Sequence, residues 1–550
     1  MTERGSGTAL GATVENLSLV DPVDRAEAIP LAFRLVHDIQ AGATGSADLL
    51  LELAHRAQQL GWDEVERACL FGEVVQAWMG GDGDIAKSVA TLIEQSEDAN
   101  DRVMLALALA LRSDEGLSGE DRAAVATRDE DLARAVVLLE QAGGRPCERI
   151  SVHTACAIAF GNRWLFELAH EQYAIALEIG AGEPEGSVDF LLAPILFNIA
   201  EEQVSWASKL RQIGDDSGVQ ECWRVWQDAV VATRTYPMPD AWKDELEALG
   251  LLLATIAGHD SEAAARELLE RITTTGAAPV RGVGLARLAI ALSIADAGRP
   301  GAEDANEAAL SALNATVHPF PYDLALFLSA TLEARTTAGW GLRYARRAVE
   351  EQWAKRQAAL GSMQVQIQSA RLVSENELLS RHARLDDLTG VGNRRALGEY
   401  VAALQQRSIK NIALILFDVD AFKKINDSYS HLAGDAVLVR IARILERAIR
   451  STDLVVRLGG DEFAVILADT DLDAAAVRAE KLINALNSLP LTDLGEGLEL
   501  RVSAGLACGA PNEMIKVRAA ADAALYEAKA AGGRCLRLSS DPVPVGRVAR

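Results

Sequence analysis

The chain has 550 residues and a formal net charge of −25 at pH 7; 49% of its residues are hydrophobic and 5% aromatic. This is enough apolar material for several packed cores. A net charge of this sign repels nucleic acid backbones, so we expect no nucleic acid partner. A phosphate-rich ligand would need metal ions or local Lys and Arg groups.

The N-terminus, the apolar runs and the cysteines indicate where in the cell the protein is expected. The N-terminus MTERGSGTAL lacks the charged-then-apolar order of a signal peptide, and no apolar run approaches the ~20 residues that span a bilayer. The six cysteines contain no CxxC pair, so reduced thiols are expected rather than a zinc site or disulfides. The sequence predicts a soluble, cytoplasmic protein with no membrane partner.

Residues 25–345 carry one amphipathic helical pattern after another, behind a flexible N-terminus at residues 1–24. In ELAHEQYAIALEI (Glu167–Ile179), Ala169, Tyr173 and Ala176 share one helical face. This segment resembles the second helix of tetratricopeptide repeats, whose period is about 34 residues. We predict a tetratricopeptide-like α-solenoid that regulates the chain and binds a protein or peptide partner. Because the copies are irregularly spaced, an unrelated all-α bundle stays open.

Residues 346–384 are polar and contain no proline, which predicts a connecting helix. An apolar stripe recurs along it, made of Trp353, Leu360, Met363, Ile367 and Ala370. Its seven-residue spacing fits a helix that pairs in parallel with a second copy as a coiled coil. A single-chain helix with one apolar edge fits almost as well.

Residues 385–540 alternate β-rich and helical segments. NIALILFDV, DLVVRL, EFAVILA and LELRVSAGLA are predicted strands, with amphipathic helices between them. This pattern predicts a sheet with helices packed against it. Residues 541–550 are predicted to be a loose tail.

Acidic residues stand where two predicted strands meet the solvent. Asp418 and Asp420 close a buried strand, and Asp461 and Glu462 follow a Gly-Gly turn. A carboxylate is costly at a strand end without a partner. Carboxylates from two chain segments form an oxygen site that suits Mg²⁺ together with substrate phosphates. Solvated turn residues or helix caps would explain any one of these acids alone.

Four blocks in order resemble the GGDEF family of diguanylate cyclases. They are DLTGVGNRR (Asp387–Arg395), FDVDAFKKINDSYSHLAGD (Phe417–Asp435), GGDEF (Gly459–Phe463) and ADAALYEAKAAGGR (Ala521–Arg534). The resemblance implies an α/β domain with a central antiparallel sheet wrapped by helices, similar to the polymerase palm and the class III nucleotide cyclases. The whole chain is then multidomain: an all-α solenoid, a helical linker and this domain.

The resemblance also implies bacterial second-messenger chemistry. Two GTP molecules would be joined into cyclic di-GMP across a homodimer, with release of two pyrophosphates and regulation by the helical repeat domain. Two Mg²⁺ ions per site, or Mn²⁺ in their place, would be held by Asp418, the carbonyl of Val419, Asp461 and Glu462. Glu462 is also a candidate for proton abstraction. Gly459 and Gly460 would let the backbone approach the ribose and the α-phosphate.

The nucleotide would meet several further residues. Asn426 and Asp435 match the family's guanine-recognising positions, and a carboxylate at 435 can accept hydrogen bonds from donors that adenine lacks. The remaining candidates for substrate binding are Phe422, Lys423, His431, Lys529 and Arg534.

Two positions depart from the family pattern. Ser430 stands where Gly is usual and would be mildly strained if the turn needs positive φ. Gly533 stands where Arg is usual, so that Arg534 comes one residue late and its role is open.

Arg450 and Asp453 form an RxxD motif nine residues before Gly459, as in the family's product-inhibition site. The plainer alternative is an Arg favoured at a helix C-terminus and an Asp in a turn. The alternative function is a catalytically inactive domain that senses cyclic di-GMP or GTP while the repeats dock a protein. The presence of Asp461 and Glu462 argues against inactivity, and Asp435 argues against mixed dinucleotides.

Overall fold

The computed structural model describes residues 24–40, 43, 45–78, 84–114, 122–233, 240–274, 280–315, 318–407 and 409–539. The chain divides into two compact units, Met1–Leu372 and Val373–Arg550. Apart from residue 24, the predicted flexible N-terminus lies outside the described residues, and so does the predicted tail at 541–550. None of the helices within the described ranges is both long and apolar enough to cross a membrane.

Helices account for the regular structure of the first unit, and the last of them continues into the second. They are α1 (Arg25–Gln40), α2 (Ser46–Leu60), α3 (Asp63–Trp78), α4 (Ile85–Asp98), α5 (Arg102–Asp114), α6 (Arg122–Gln141), α7 (Pro146–Gly161), α8 (Phe166–Ala181), α9 (Asp189–Ile213), α10 (Asp216–Thr233), α11 (Asp240–Ile256), α12 (Glu262–Thr274), α13 (Val280–Asp296), α14 (Ala302–Ala312), α15 (Pro319–Glu333) and α16 (Trp340–His382).

The helical face predicted in α8 is buried. Ala169 and Ala176 are fully buried and Tyr173 nearly so. Small residues on either side of the tyrosine let the neighbouring helix α7 pack closely, which is how helical repeats bury one face of each helix. Asp131 is a nearly buried acid of α6. That residue lies inside the helix and pairs with Arg112 of α5 (2.7 Å), so its carboxylate serves an ion pair instead of a cap.

Successive helices pack against each other and form two hydrophobic cores. One core is built from α1–α9 and the other from α9–α15, so that α9 contributes to both. The unit is therefore mostly helical, as predicted, and is consistent with a helical repeat domain.

The apolar stripe of α16 packs on helices of its own chain. Met363 and Ile367 are buried in the first core, with Leu360 and Ala370 partly buried beside them. Trp353 packs against the second core. This packing matches the interpretation of α16 as a single-chain helix with one apolar edge.

Arg356 adds a polar attachment at the same face of α16. Its Nε donates to the carbonyl oxygen of Trp164 (2.7 Å), and its guanidinium pairs with Glu167. The guanidinium carbon also lies 4.5 Å from the centroid of the Trp353 ring. The Arg356 side chain is only 2% exposed, so α16 is held here by a buried guanidinium whose partner, Glu167, reaches the solvent.

The second unit is an α/β domain. Its elements are α17 (Arg394–Gln406), β1 (Ile412–Val419), α18 (Phe422–Tyr429), α19 (His431–Ala448), β2 (Leu454–Gly459), β3 (Glu462–Ala468), α20 (Leu472–Asn487), β4 (Val502–Gly509), α21 (Met514–Ala530) and β5 (Leu536–Leu538). The strands lie in the order β2-β3-β1-β4-β5. The antiparallel sheet that was predicted is present, and the three-residue β5 adds a parallel pairing with β4.

Every residue of the central strand β1 is buried because helices cover both faces of the sheet. Phe417 and Val419 point into a core shared with α18, α19 and α20. Leu414 and Leu416 point into a second core with α17 and α21. Asp418 follows the same alternation as Leu414 and Leu416, which directs its side chain towards the face that α21 covers.

Candidate active site

Asp418 is a buried carboxylate at the end of β1. It is 7% exposed, and its Oδ2 lies 2.6 Å from Nζ of Lys529 in the last turn of α21. Burial raises the pKa of Asp418, the charge of Lys529 lowers it, and the charges of Asp461 and Asp420 raise it further. The net direction is upward, so the site concentrates negative charge at a place that favours a cation.

The Gly-Gly turn brings Asp461 to this carboxylate. Gly459 pairs with Glu462 across the turn, and the two glycines have φ values of 139° and 57°. The positive φ values, and not a steric clash, account for glycine at both positions, because a Cβ at either would meet only open space. The main-chain nitrogen of Val419 donates to the carbonyl oxygen of Asp461 (3.4 Å). The turn is thereby joined to the end of β1.

Arg457 supports the Gly-Gly turn and was not among the site residues predicted from the sequence. Its Nε and Nη2 donate to the carbonyl oxygen of Gly460 (3.0 and 2.8 Å), and its Nη1 donates to Asp386 (2.9 Å). The available signal was an arginine inside an otherwise apolar strand, where a charged group needs a specific partner.

The residues predicted to meet guanine converge on one glycine. A Cβ on Gly434 would lie 1.9 Å from Oδ1 of Asn426 and 3.1 Å from Cζ of Phe422, so these side chains pack directly over it. Asp435 follows Gly434 near the start of α19 and is half-buried. The structure therefore brings Phe422 and Asn426 together over Gly434, and Asp435 is the next residue along the helix. Lys423 in α18 and His431 at the start of α19 are exposed.

Ser430 has a φ of 120° and a ψ of 159°, so the turn before α19 does need positive φ. Its Oγ accepts a hydrogen bond from the main-chain nitrogen of Ala433 (3.2 Å) and caps the helix. Mild strain was expected at Ser430 if the turn needs positive φ, and the turn has it.

Arg534 is held mainly through its backbone. Its main-chain nitrogen donates to Oδ2 of Asp420 (2.9 Å), and its Nη2 donates to the carbonyl oxygen of Asn487 (3.4 Å). These contacts direct the guanidinium towards the end of α20, whereas Lys529 is the basic group that pairs with Asp418.

The RxxD motif lies at the opposite end of β2 from the Gly-Gly turn. Arg450 is exposed, and its main-chain nitrogen donates to Asp453 (3.1 Å). The Asp453 side chain is 2% exposed, pairs with Arg478 (3.1 Å) and accepts from the nitrogen of Ala468 (3.2 Å). Asp453 therefore organises the turn before β2, while Arg450 presents its guanidinium to solvent.

The donor set fits a hard divalent cation completed by a ligand. In the part of the chain that the structure describes, no group of three or more His, Cys, Asp or Glu side chains is placed to hold a metal ion. Asp418 and Asp461 would supply two carboxylates, and Val419, the last residue of β1, is hydrogen-bonded to the turn. Mg²⁺ is commonly held by one or two carboxylates together with substrate phosphates.

A family model described as diguanylate cyclase, GGDEF domain, matches residues 383–535. Residues 383–535 form a GGDEF domain. The match covers strands β1–β4, the Gly-Gly turn and the segment through Lys529 and Arg534, and it begins after the helical unit ends.

Similar proteins share this domain with the chain. Diguanylate cyclase DgcP of Pseudomonas aeruginosa is 42% identical over 154 residues, which are 27% of this chain and 23% of that protein. Diguanylate cyclase DgcS of Shewanella oneidensis is 36% identical over 167 residues, 29% of this chain and 54% of that protein. The chain thus spans about half or less of the length of these two relatives.

Among solved structures, the coiled coil and GGDEF domain of DgcB from Caulobacter crescentus, in complex with c-di-GMP, is 27% identical. The similarity covers 33% of this chain and 98% of that chain, with a TM-score of 0.30.

Proposed function

We propose that this chain is a diguanylate cyclase that converts two GTP molecules into cyclic di-GMP and two pyrophosphates. The observation that carries the proposal is the meeting of Asp418, the Asp461 turn and Lys529 at one edge of a GGDEF domain. Two relatives that share the domain are named diguanylate cyclases. A degenerate domain would have no need to keep a buried Asp418, whose pKa is raised by burial and by the charges of Asp461 and Asp420.

Asp418, Asp461 and the Val419 carbonyl are the groups that would hold Mg²⁺. When bound, the metal would lower the pKa of the attacking 3′-hydroxyl and neutralise charge on the triphosphate. Lys529 already lies against Asp418 and would transfer its pairing to a phosphate oxygen. Glu462 is exposed and is the cross-strand neighbour of Asp418. We therefore assign it the role of accepting the proton of the attacking 3′-hydroxyl.

Guanine would be selected where Asn426 and Phe422 pack over Gly434. The amide of Asn426 can meet an acceptor on the base, and the Asp435 carboxylate can accept from the guanine N1–H and 2-amino groups. Adenine offers neither donor to Asp435, which favours GTP over ATP.

The reaction calls for a homodimer. Each 3′-oxygen forms a bond to the α-phosphorus of the other GTP, the bond from that phosphorus to the bridging oxygen breaks, and pyrophosphate leaves. One domain with one such site places one GTP, so the two sites must face each other.

Product inhibition at the RxxD motif is supported by the exposure of Arg450. A free guanidinium can bind guanine O6 and N7 or a phosphate in a bidentate manner. The Asp453 carboxylate, by contrast, pairs with Arg478 and accepts hydrogen bonds from main-chain nitrogens. We therefore assign it a structural role in holding the turn that carries Arg450.

Regulation by the helical unit is supported by the packing of α16. The helix leads into the second unit, and its apolar stripe and Arg356 are held by helices of the first. A partner that changes the packing of the helices in the first unit would shift α16 through these contacts.

Incubating the full chain with GTP and Mg²⁺ and measuring cyclic di-GMP against protein concentration tests the proposal. A specific activity that rises with concentration supports a dimeric cyclase. GTP left unreacted at concentrations where the protein is dimeric would leave the alternative, a domain that only senses the nucleotide or its cyclic product.

A further inference from the structure

Asp420 joins the end of β1 to two distant chain segments. Its Oδ1 and Oδ2 accept from Oγ of Ser503 in β4 (2.8 and 2.9 Å), and Oδ2 also accepts from the main-chain nitrogen of Arg534 (2.9 Å). Ser503 is completely buried. Both carboxylate oxygens are therefore used by donors of the chain itself.

The segment after α21 closes tightly around this carboxylate. Gly532, Gly533 and Arg534 have φ values of 108°, 76° and 57°, three successive residues in left-handed backbone conformations. A Cβ on Gly533 would lie 2.6 Å from Oδ2 of Asp420. Such backbone conformations are unfavourable for residues other than glycine, and Arg534 is one of the three. By accepting a hydrogen bond from the Arg534 amide, the Asp420 carboxylate stabilises this turn.

Lys529 stands three residues before Gly532, the first residue of this turn, and lies in the last turn of α21. Its Nζ meets Asp418, two residues before Asp420, at 2.6 Å. The end of β1 therefore holds this part of the chain twice: Asp418 binds the lysine side chain, and Asp420 binds the backbone that follows it. The second attachment limits where the end of α21, and with it Lys529, can lie.

We propose that Asp420 is a positioning residue for Lys529: it fastens the turn after α21 so that the ammonium group faces the acidic end of β1. The proposal rests on the proposed function for its consequence, because a lysine placed there would bind GTP phosphates. The rival assignment makes Asp420 a further metal ligand beside Asp418, Asp461 and the Val419 carbonyl. Asp420 is less suited to that task because both of its oxygens accept hydrogen bonds from Ser503 and Arg534.

The position of Lys529 can be measured without any nucleotide. In the full chain, a limiting amine-acylating reagent followed by mass spectrometry gives the modification rate of Lys529 relative to Lys481 on α20. Pairing with Asp418 slows acylation, so Asp420→Ala should raise the relative rate about threefold or more. Asp420→Asn should stay near the wild-type rate because its Oδ1 still accepts from Arg534 and its amide can donate to Ser503. An unchanged rate in Asp420→Ala overturns the positioning role.

The consequence for substrate is measured with 3′-deoxy-GTP, which binds but lacks the attacking hydroxyl. With Mg²⁺ present, titration calorimetry should give an affinity about ten- to hundredfold weaker for Lys529→Ala, the loss expected for a charge-assisted hydrogen bond. Asp420→Ala should lose a similar factor. The double variant should be no weaker than Lys529→Ala, since a positioning residue has nothing left to position.

Gly533→Ala provides a second route if Asp420→Ala fails to fold. It keeps the carboxylate but displaces the turn, so it should raise the Lys529 acylation rate and lose its effect on affinity in the Lys529→Ala background. Losses that multiply in the double variant, or an Asp420→Asn chain that needs far more Mg²⁺ than wild type, would make Asp420 a metal ligand and overturn the proposal. If wild type fails to bind 3′-deoxy-GTP, the proposed function fails, and the acylation rates still decide the role of Asp420.

Discussion

Lys529 and Asp418 form an ion pair in which the carboxyl is 9% exposed and the ammonium side chain 43% exposed. The buried partner cannot be hydrated if the pair separates, whereas the lysine can swing outward. An incoming cation at Asp418 would therefore release Lys529 towards the solvent side, where a triphosphate would lie.

The pKa of Asp418 gives a pH-dependent prediction for Asp418→Asn. Because the folded-state pKa is raised, mainly by burial, this group's contribution to stability is complete below the unfolded pKa and is lost as the pH rises through the folded pKa. Removing the charge should raise the unfolding temperature of the second unit at pH 7 in metal-free buffer by roughly 2–4 °C. The gain should shrink towards pH 4. Calorimetry that finds the variant less stable at pH 7 would contradict this account of the site.

Ser430 offers a test of backbone strain. Ser430→Gly should stabilise the second unit by about 1 kcal/mol, since glycine removes the strain of a φ near 120° and gives up only a weak cap. Ser430→Ala keeps the strain and loses the cap, so it should destabilise by about 1 kcal/mol. Hydrogen exchange of β1 amides would measure both. Equal effects of the two variants would mean that the backbone here is unstrained.

Arg450 and Asp453 should differ sharply when each is replaced by alanine. Asp453→Ala leaves Arg478 without its partner and two main-chain donors unsatisfied, and should cost about 2–4 kcal/mol of stability. Arg450→Ala should change stability by less than about 0.5 kcal/mol while relieving inhibition by added cyclic di-GMP. Full inhibition in the stable Arg450→Ala chain would exclude the arginine as a product contact.

Parts of this site could be predicted because the signals are local. The run at Ile412–Val419 is apolar at every position except Asp418, which predicted a buried strand, and two glycines followed by acids predicted the turn. The contact of Asp420 with Arg534 joins residues 114 apart in the sequence. No periodicity relates such positions, so it was missed, as was the parallel three-residue strand Leu536–Leu538.

The helical unit shows the same limit. A seven-residue stripe on α16 has the same spacing whether it faces a second copy or its own chain, and only tertiary packing distinguishes the two. The partner of Arg356, Glu167, lies 189 residues away. Asp131 has the residue type of a helix cap, but its ion pair with Arg112 places it inside α6.

Arg356 should be a main attachment of α16 to the helical unit. Arg356→Ala should destabilise this unit by roughly 2–4 kcal/mol because it removes a buried side chain that packs on Trp353 and leaves the carbonyl oxygen of Trp164 without its donor. Lys355→Ala, at an exposed neighbouring position, should cost less than about 0.5 kcal/mol. All nine tryptophans precede residue 354, so tryptophan fluorescence during denaturation follows this unit alone. Equal midpoints for the two variants would remove Arg356 from this role.

The central claim is that the carboxylates of Asp418 and Asp461 together make the site where GTP reacts. The direct measurement is cyclic di-GMP formation by wild type, Asp418→Asn and Asp461→Asn at equal dimer concentration. Asp493→Asn serves as control, since that acid is 62% exposed and paired with Arg440. We predict losses of about 100-fold or more for the first two variants, and a change within about twofold for the control. Wild-type turnover in Asp418→Asn or Asp461→Asn would contradict the account.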